Sequence, residues 1–174
     1  MRKCDFNEVL QFIKSTFGKD KVPLHEPKFI GNEKKYLLEC IDSSFVSSVG
    51  KFVDEFESKL AQMVGAKFAV ATTNGTSALH ICLKLAGVGQ DDEVITQPVT
   101  FIATCNAISY LFAKSVFVDV DLDTLGMSPA ALSEFLEKNC KLKGGKCVNK
   151  TSGRIVRACM PMHTFGLPCK IDEL

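Results

Sequence analysis

At 174 residues the chain is long enough for one α/β domain or most of one, and 46% hydrophobic with 24% charged residues suits a globular protein. A net charge of +1 gives no bulk attraction toward nucleic acid or an anionic membrane surface. No apolar run approaches the ~20 residues of a membrane span, and MRKCDFNEVL carries no secretory h-region, so the eight cysteines read as buried thiols of a reducing cytoplasm.

In chain order, residues 5–17 place Val9, Leu10, Ile13 and Phe17 at helical spacing, with Gly18 as the stop. KVPLHEPKFIG is proline-punctuated and reads as an extended linker. A second helix is predicted over 32–41, where Tyr36, Leu37, Cys40 and Ile41 share a face, followed by the small-residue loop SSFVSSVG. A third helix, KFVDEFESKLAQMVG, carries Phe52, Val53, Phe56, Leu60 and Met63 on one stripe.

Beyond this point the pattern becomes α/β. Short apolar strands are predicted at 68–71, 94–96, 115–120 and 154–160. Between them lie the helices TSALHICLKLAG and FIATCNAISYLFA and a third at 130–139, which Ser128 and Pro129 open as N-cap and first-turn pair. The lysine-rich run 138–150 reads as a solvated loop. Four strands alternating with helices indicate βαβ units, a mostly parallel sheet and helices on both faces. The final KIDEL looks like the start of another helix, so the alternation breaks off and the chain reads as a fragment.

Two stretches carry candidate chemistry. In AVATTNGTSALHICLKLAG a strand turns through Asn74-Gly75 into a helix opening at Thr76-Ser77. The unpaired N–H groups of a helix start suit a phosphate, glycine permits close approach, and the two hydroxyls can donate. The same residues would also serve as a plain helix N-cap, and the pattern is neither G-x-G-x-x-G nor a P-loop. In ITQPVTFIATCNAI a strand breaks at Pro98, and Phe101 stands at the mouth of the next helix, beyond the carboxyl edge of the sheet. An aromatic there either stacks on a planar ligand ring or joins the core.

Taken together, NGTSALHICLKLAGVGQDDEVITQPVTFIATCNAI, VFVDVDLDTLGMSP and MPMHTFGLPCKIDEL resemble the DegT/DnrJ/EryC1/StrS aminotransferases, and PLHEPKFIGNEKKYLLECIDSSFVSSVGKFVDEFE resembles the branch serving legionaminic-acid-type sugars. The resemblance runs over residues 22–174. It implies a three-layer αβα architecture, the N-terminal part of the large domain of a fold-type-I, aspartate-aminotransferase-like enzyme. Residues 1–30 would be an N-terminal helix and linker and 31–174 an incomplete large domain.

The resemblance further implies pyridoxal 5'-phosphate as cofactor, held by Gly75, Thr76 and Ser77 at its phosphate and by Phe101 at its ring. Ser47, Ser48 and Gly50 would lie near the sugar-nucleotide site, often across a homodimer interface, with His163 at the carboxyl edge; His163 also reads as a satisfied loop histidine. The implied reaction moves an amino group, from glutamate in most relatives, to a nucleotide-linked 4-keto-6-deoxy sugar for surface polysaccharide. Asp119, Asp121 and Asp123 would form a turn and no metal site. The Schiff-base lysine and the aspartate facing the pyridine nitrogen would both lie beyond residue 174, leaving these residues inactive alone. A histidine in place of that lysine would make a dehydratase. A non-catalytic remnant that binds phosphate or nucleotide or dimerises with an intact paralogue, and an α/β nucleotide-binding transferase, remain open readings.

Overall fold

The computed structural model describes residues 6–23 and 26–174, so residues 1–5 and Leu24-His25 of the proline-punctuated linker lie outside the described part. The chain divides into two compact units, Met1–Ala69 and Val70–Leu174. The first therefore includes not only the predicted linker but also the second and third predicted helices.

Three helices make up the first unit: α1 (Phe6–Phe17), α2 (Glu33–Ser43) and α3 (Lys51–Val64). All three follow the apolar periodicity of the sequence. The Tyr36 ring of α2 meets the Phe52 ring of α3 at a centroid distance of 5.0 Å. Ala61 is the one residue of α3 that is buried, and neither α1 nor α2 buries any.

In the second unit the elements run α4 (Gly75–Leu85), β1 (Glu93–Thr96), α5 (Ile102–Ser109), β2 (Lys114–Phe117) and α6 (Pro129–Asn139). A hairpin of β3 (Cys140–Lys143) and β4 (Lys146–Asn149) follows, then β5 (Val156–Cys159) and a 3-10 turn, Thr164–Gly166. β1 lies between β2 and β5 in a parallel sheet, in register from Glu93↔Lys114 to Thr96↔Phe117 on one side. Successive residues of a strand point to opposite faces. Val94, fully buried, packs with Leu83, Ala107 and Ile108 of α4 and α5. Its neighbour Ile95 packs with Met127 and Leu132 on the α6 side. One buried strand thus separates two cores, and helices cover both faces: the expected three-layer α/β order.

Four local expectations are corrected. Residues 68–71 form no regular element and belong to neither sheet, so the parallel sheet among the described residues has three strands rather than four. An apolar run becomes a strand only with a hydrogen-bonded neighbour, and Phe68 and Val70 are instead 75% and 81% exposed. The lysine-rich run is no plain loop. It holds β3 and β4, with Lys143 opposite Lys146 across Gly144-Gly145. Both glycines have positive φ, 57° and 73°, as a two-residue hairpin turn of the favoured hand requires. The helix predicted to run through Ala113 stops at Ser109, and Phe112 takes a left-handed φ of 57°. KIDEL forms a turn, with the Glu173 N–H donating to the Lys170 carbonyl at 3.0 Å, rather than a helix start.

A close approach fixes one more glycine. A Cβ placed on Gly126 would lie 2.4 Å from the Cys169 Cβ and 3.1 Å from its Cα, atoms that cannot swing away. Gly126→Ala should therefore cost ~1–3 kcal/mol through overpacking. A lowered urea midpoint with unchanged slope is the expected observation; an unchanged midpoint would show that the 126 turn yields freely.

Candidate functional site

Helix α4 follows the irregular 70–74 segment, which bends at Thr73 and Asn74. Asn74, with extended φ and ψ, is its N-cap, and its side-chain oxygen accepts from the Ser77 N–H at 2.9 Å. The Ala78 N–H is the first to bond within the helix, to the Asn74 carbonyl at 3.1 Å. The N–H groups of Gly75 and Thr76 consequently have no partner from the helix itself. Thr72 donates to the Asn74 carbonyl at 3.0 Å, and the hydroxyls of Thr73 and Ser77 lie 3.3 Å apart.

Gly75 and Thr76 open onto a pocket of about 600 Å³ whose other walls include Phe101, Thr104, Met160 and Met162. The structure therefore brings Gly75, Thr76 and Phe101 together. Phe101 is the N-cap residue of α5 and is 72% exposed, so its ring face is available to a ligand. Nothing lies within 4 Å of a Cβ placed on Gly75, and its φ is not positive. Neither packing nor backbone conformation demands glycine there, and the open space beside the helix start has room for an anion carrying a planar ring. Among the described residues no lysine lines this pocket.

Ser77 contributes differently. Its backbone donor is taken by Asn74, and the residue lines a second pocket of about 550 Å³ with Asn74, Thr76, His80, Ile81 and Tyr110. His80 Nδ1 is buried there without a hydrogen-bond partner. His163 lies after β5, exposed, and its Nδ1 accepts from the Cys169 N–H at 3.0 Å. A neutral ring then carries its proton on Nε2.

Ser47, Ser48 and Gly50 belong to the first unit. Ser47 and Gly50 line a pocket of about 650 Å³ there with Glu39, Asp42, Phe45, Lys51 and Phe52, while Ser48 is absent from its lining. The Ser47 hydroxyl accepts from the Val49 N–H at 3.4 Å, and Gly50 is the N-cap of α3.

The aspartate turn after β2 is held by a counter-ion. Lys170 Nζ lies 2.7 Å from Asp121 and 3.2 Å from Asp123, and the Asp119 carboxylate accepts from the Val120 N–H at 2.8 Å. The hydrogen bond from Lys170, joined by one from Ser128, holds the Asp121 carboxyl below its usual range. The same two carboxylates raise Lys170. Among the described residues no group of three or more His, Cys, Asp or Glu is placed to hold a metal ion. Burial pushes the Cys140 thiol up to about 11, with Cys147 adding to it, and also raises Cys159, so neither thiol is primed as a nucleophile.

Sequence reasoning missed Gln97. It is wholly buried at the end of β1, and its Oε1 accepts from the Met127 and Met162 N–H groups at 2.9 and 3.0 Å. Its Nε2 faces the Val99 carbonyl at 3.0 Å, the Thr164 hydroxyl at 2.9 Å and the Leu125 carbonyl at 3.2 Å. The available signal was a long polar amide at the end of an apolar strand, directly before Pro98.

Comparison with known proteins bears on the family and the fold. The model of the DegT/DnrJ/EryC1/StrS aminotransferase family, whose members depend on pyridoxal phosphate, matches residues 27–174. The chain is 36% identical over 153 residues to the GDP-perosamine synthase of Escherichia coli O157:H7, covering 88% of this chain and 38% of that protein. It is 36% identical over 146 residues to the spore coat polysaccharide biosynthesis protein SpsC of Bacillus subtilis strain 168, covering 83% of this chain and 33% of that protein. The solved aminotransferase of Psychrobacter cryohalolentis superposes with a TM-score of 0.69 at 28% identity, over 87% of this chain and 35% of that one. The chain thus spans about a third to two fifths of the length of these relatives.

The Lys170 pairing makes a pH prediction. Asp121 has a folded pKa below its ordinary 3.8, so its contribution is complete above that value and is lost as pH falls through the lowered one. Lys170, raised above 10.5, contributes fully below that value and loses its contribution as pH rises through the raised one. Lys170→Met should therefore flatten the fall of the thermal midpoint between about pH 5 and pH 2. Parallel acid limbs for both proteins would rule the pairing out as a source of stability.

Proposed function

The chain belongs to the DegT/DnrJ/EryC1/StrS aminotransferase family, and on that footing we propose that it supplies the cofactor seat of a sugar aminotransferase in surface polysaccharide biosynthesis. The amino donor is glutamate and the acceptor a nucleotide-linked 4-keto-6-deoxy sugar. The supporting observation is the single pocket shared by Gly75 and Thr76, whose N–H groups have no partner within the helix, and the exposed Phe101 ring. Pyridoxal phosphate, when bound, supplies the electron sink and the carrier for the amino group.

In this reading the Gly75 and Thr76 N–H groups bind the phosphate, aided by the helix dipole and by the Thr76 and Ser77 hydroxyls. Phe101 orients the pyridine ring by stacking. Met160 and Met162 form an apolar wall that excludes water from the ring. Ser47, Ser48 and Gly50 recognise the sugar nucleotide, with a second copy of the chain completing the site as a homodimer, and His163 serves the substrate through Nε2. With no lysine among the described residues lining the pocket, these 174 residues bind the cofactor and do not transaminate by themselves.

Titrating the purified chain with pyridoxal phosphate, followed by absorbance and induced circular dichroism, tests this. Saturable binding is expected, weakened about three- to tenfold in Phe101→Ala by loss of the stacking contribution. A carboxylate placed before the donors in Gly75→Asp should abolish it. Tight nucleotide binding without pyridoxal phosphate binding would overturn the proposal. In a separate assay the chain alone should show no glutamate-dependent amination of a keto-sugar nucleotide; measurable turnover would refute the assignment of the covalent chemistry to residues outside this chain.

A further inference from the structure

We propose that Gln97 is the positioning residue of the ring half of this pocket: its amide clamps the two walls between which the cofactor ring lies. The inference rests on the cofactor-seat reading above. The two walls come from different strands. Phe101 follows β1 through residues 98–100, whereas Met160 and Met162 follow β5. The last paired residues are Thr96↔Phe117 and Ile95↔Cys159, and the Met160 N–H still reaches the Ile95 carbonyl at 2.8 Å. Neither Phe101 nor Met162 is paired to the sheet, however, so side chains must set their separation.

Gln97 does so directly. Its nitrogen grips the Val99 carbonyl, two residues before Phe101, while its oxygen grips the Met162 N–H on the opposite wall. The same amide also ties down Met127 and Leu125 beneath, and the 2% exposed Thr164 passes the contact on by donating to the Leu125 carbonyl at 2.8 Å. A second link runs between the walls themselves. The Thr100 hydroxyl lies 3.1 Å from Met162 Sδ and 2.9 Å from the Thr104 hydroxyl, and Thr104 lines the pocket. Loop backbones converging in a dry site present both donors and acceptors that must be paired. Only an amide offers two of each on one rigid plane. An apolar residue of the same size would satisfy none, and a carboxylate would face the Val99 and Leu125 carbonyls with repulsion.

The phosphate half of the pocket lies elsewhere in this scheme. Gly75 and Thr76 stand on α4, held by the Asn74 cap and not by Gln97. Loss of Gln97 should therefore separate ring affinity from phosphate affinity. In the full 174-residue chain, Gln97→Ala and Thr164→Val are compared with wild type for binding of pyridoxal phosphate and of inorganic phosphate. Thermal midpoint and induced circular dichroism of the ring are read alongside.

Affinity for pyridoxal phosphate should fall about tenfold or more, as buried backbone groups lose their partners. Phosphate affinity should change less than about threefold, because the Asn74-capped donors are untouched, and the induced dichroism should shrink. A lowered thermal midpoint with an unchanged ratio of the two affinities would overturn the inference, since a merely structural role moves both ligands together. Thr164→Val, which keeps the amide and removes one partner, supplies the same ratio if Gln97→Ala does not fold. Wild-type chain that binds no pyridoxal phosphate would overturn the cofactor-seat reading and this inference with it. Wild-type binding with an unmoved ratio in the variants would overturn this inference alone.

Discussion

At the carboxyl edge of the sheet a buried amide, Gln97, pairs loop backbones that lie past the last rungs of the ladder. A parallel sheet satisfies its own backbone only along the ladder; past the last rung each chain must find partners or water. Here β1, β2 and β5 end within one layer, and the segments leaving them are drawn together over Gln97. The Thr96 hydroxyl adds a bond to the Met160 carbonyl at 3.0 Å one residue earlier. The pocket sits above this floor, so its shape depends on hydrogen bonds rather than on apolar contact alone.

The opposite edge uses charge for the same purpose. Asp92 accepts from the Gly89 N–H at 3.0 Å and pairs with Arg157 at 3.1 Å, tying the entry of β1 to β5. Glu93, 4% exposed, accepts from Asn149 at 2.9 Å and Ser152 at 2.6 Å, fastening the hairpin side to the same strand. A buried carboxylate is tolerable only when its lone pairs are used, and these are. β1 therefore carries polar fasteners at both ends and apolar packing in its middle, where Val94 and Ile95 serve opposite cores.

Much of this was legible in the sequence because it is local. The helices declared themselves by apolar spacing, by Ser128 as a cap and by glycine stops, and the phosphate-type helix start and Phe101 were visible as residues beside breaks, although Asn74, read as part of a turn, proved to be the cap. What stayed hidden is non-local. The partners of Gln97 lie up to 67 residues away, and those of Glu93 lie 56 and 59 residues away. The strand status of 68–71 depended on a neighbour, not on its own composition. The β3–β4 hairpin is the exception, since Gly144-Gly145 was a local turn signal masked by the surrounding lysines.

The helix start itself shows how one polar side chain divides labour. A bare helix N-terminus leaves its first N–H groups in search of acceptors, and the first turn frays without them. Asn74 takes the third donor, Ser77, and such a cap typically stabilises by ~1 kcal/mol. The turn is thereby formed before any ligand arrives, and the two donors that the cap leaves over belong to Gly75 and Thr76, which line the pocket that Phe101 shares. An anion meeting that surface has little ordering left to offset, which is the advantage of preorganisation. On the proposed reading, the capping role and the anion-binding role, which compete for the same residues when only the sequence is read, fall to different atoms of the same turn.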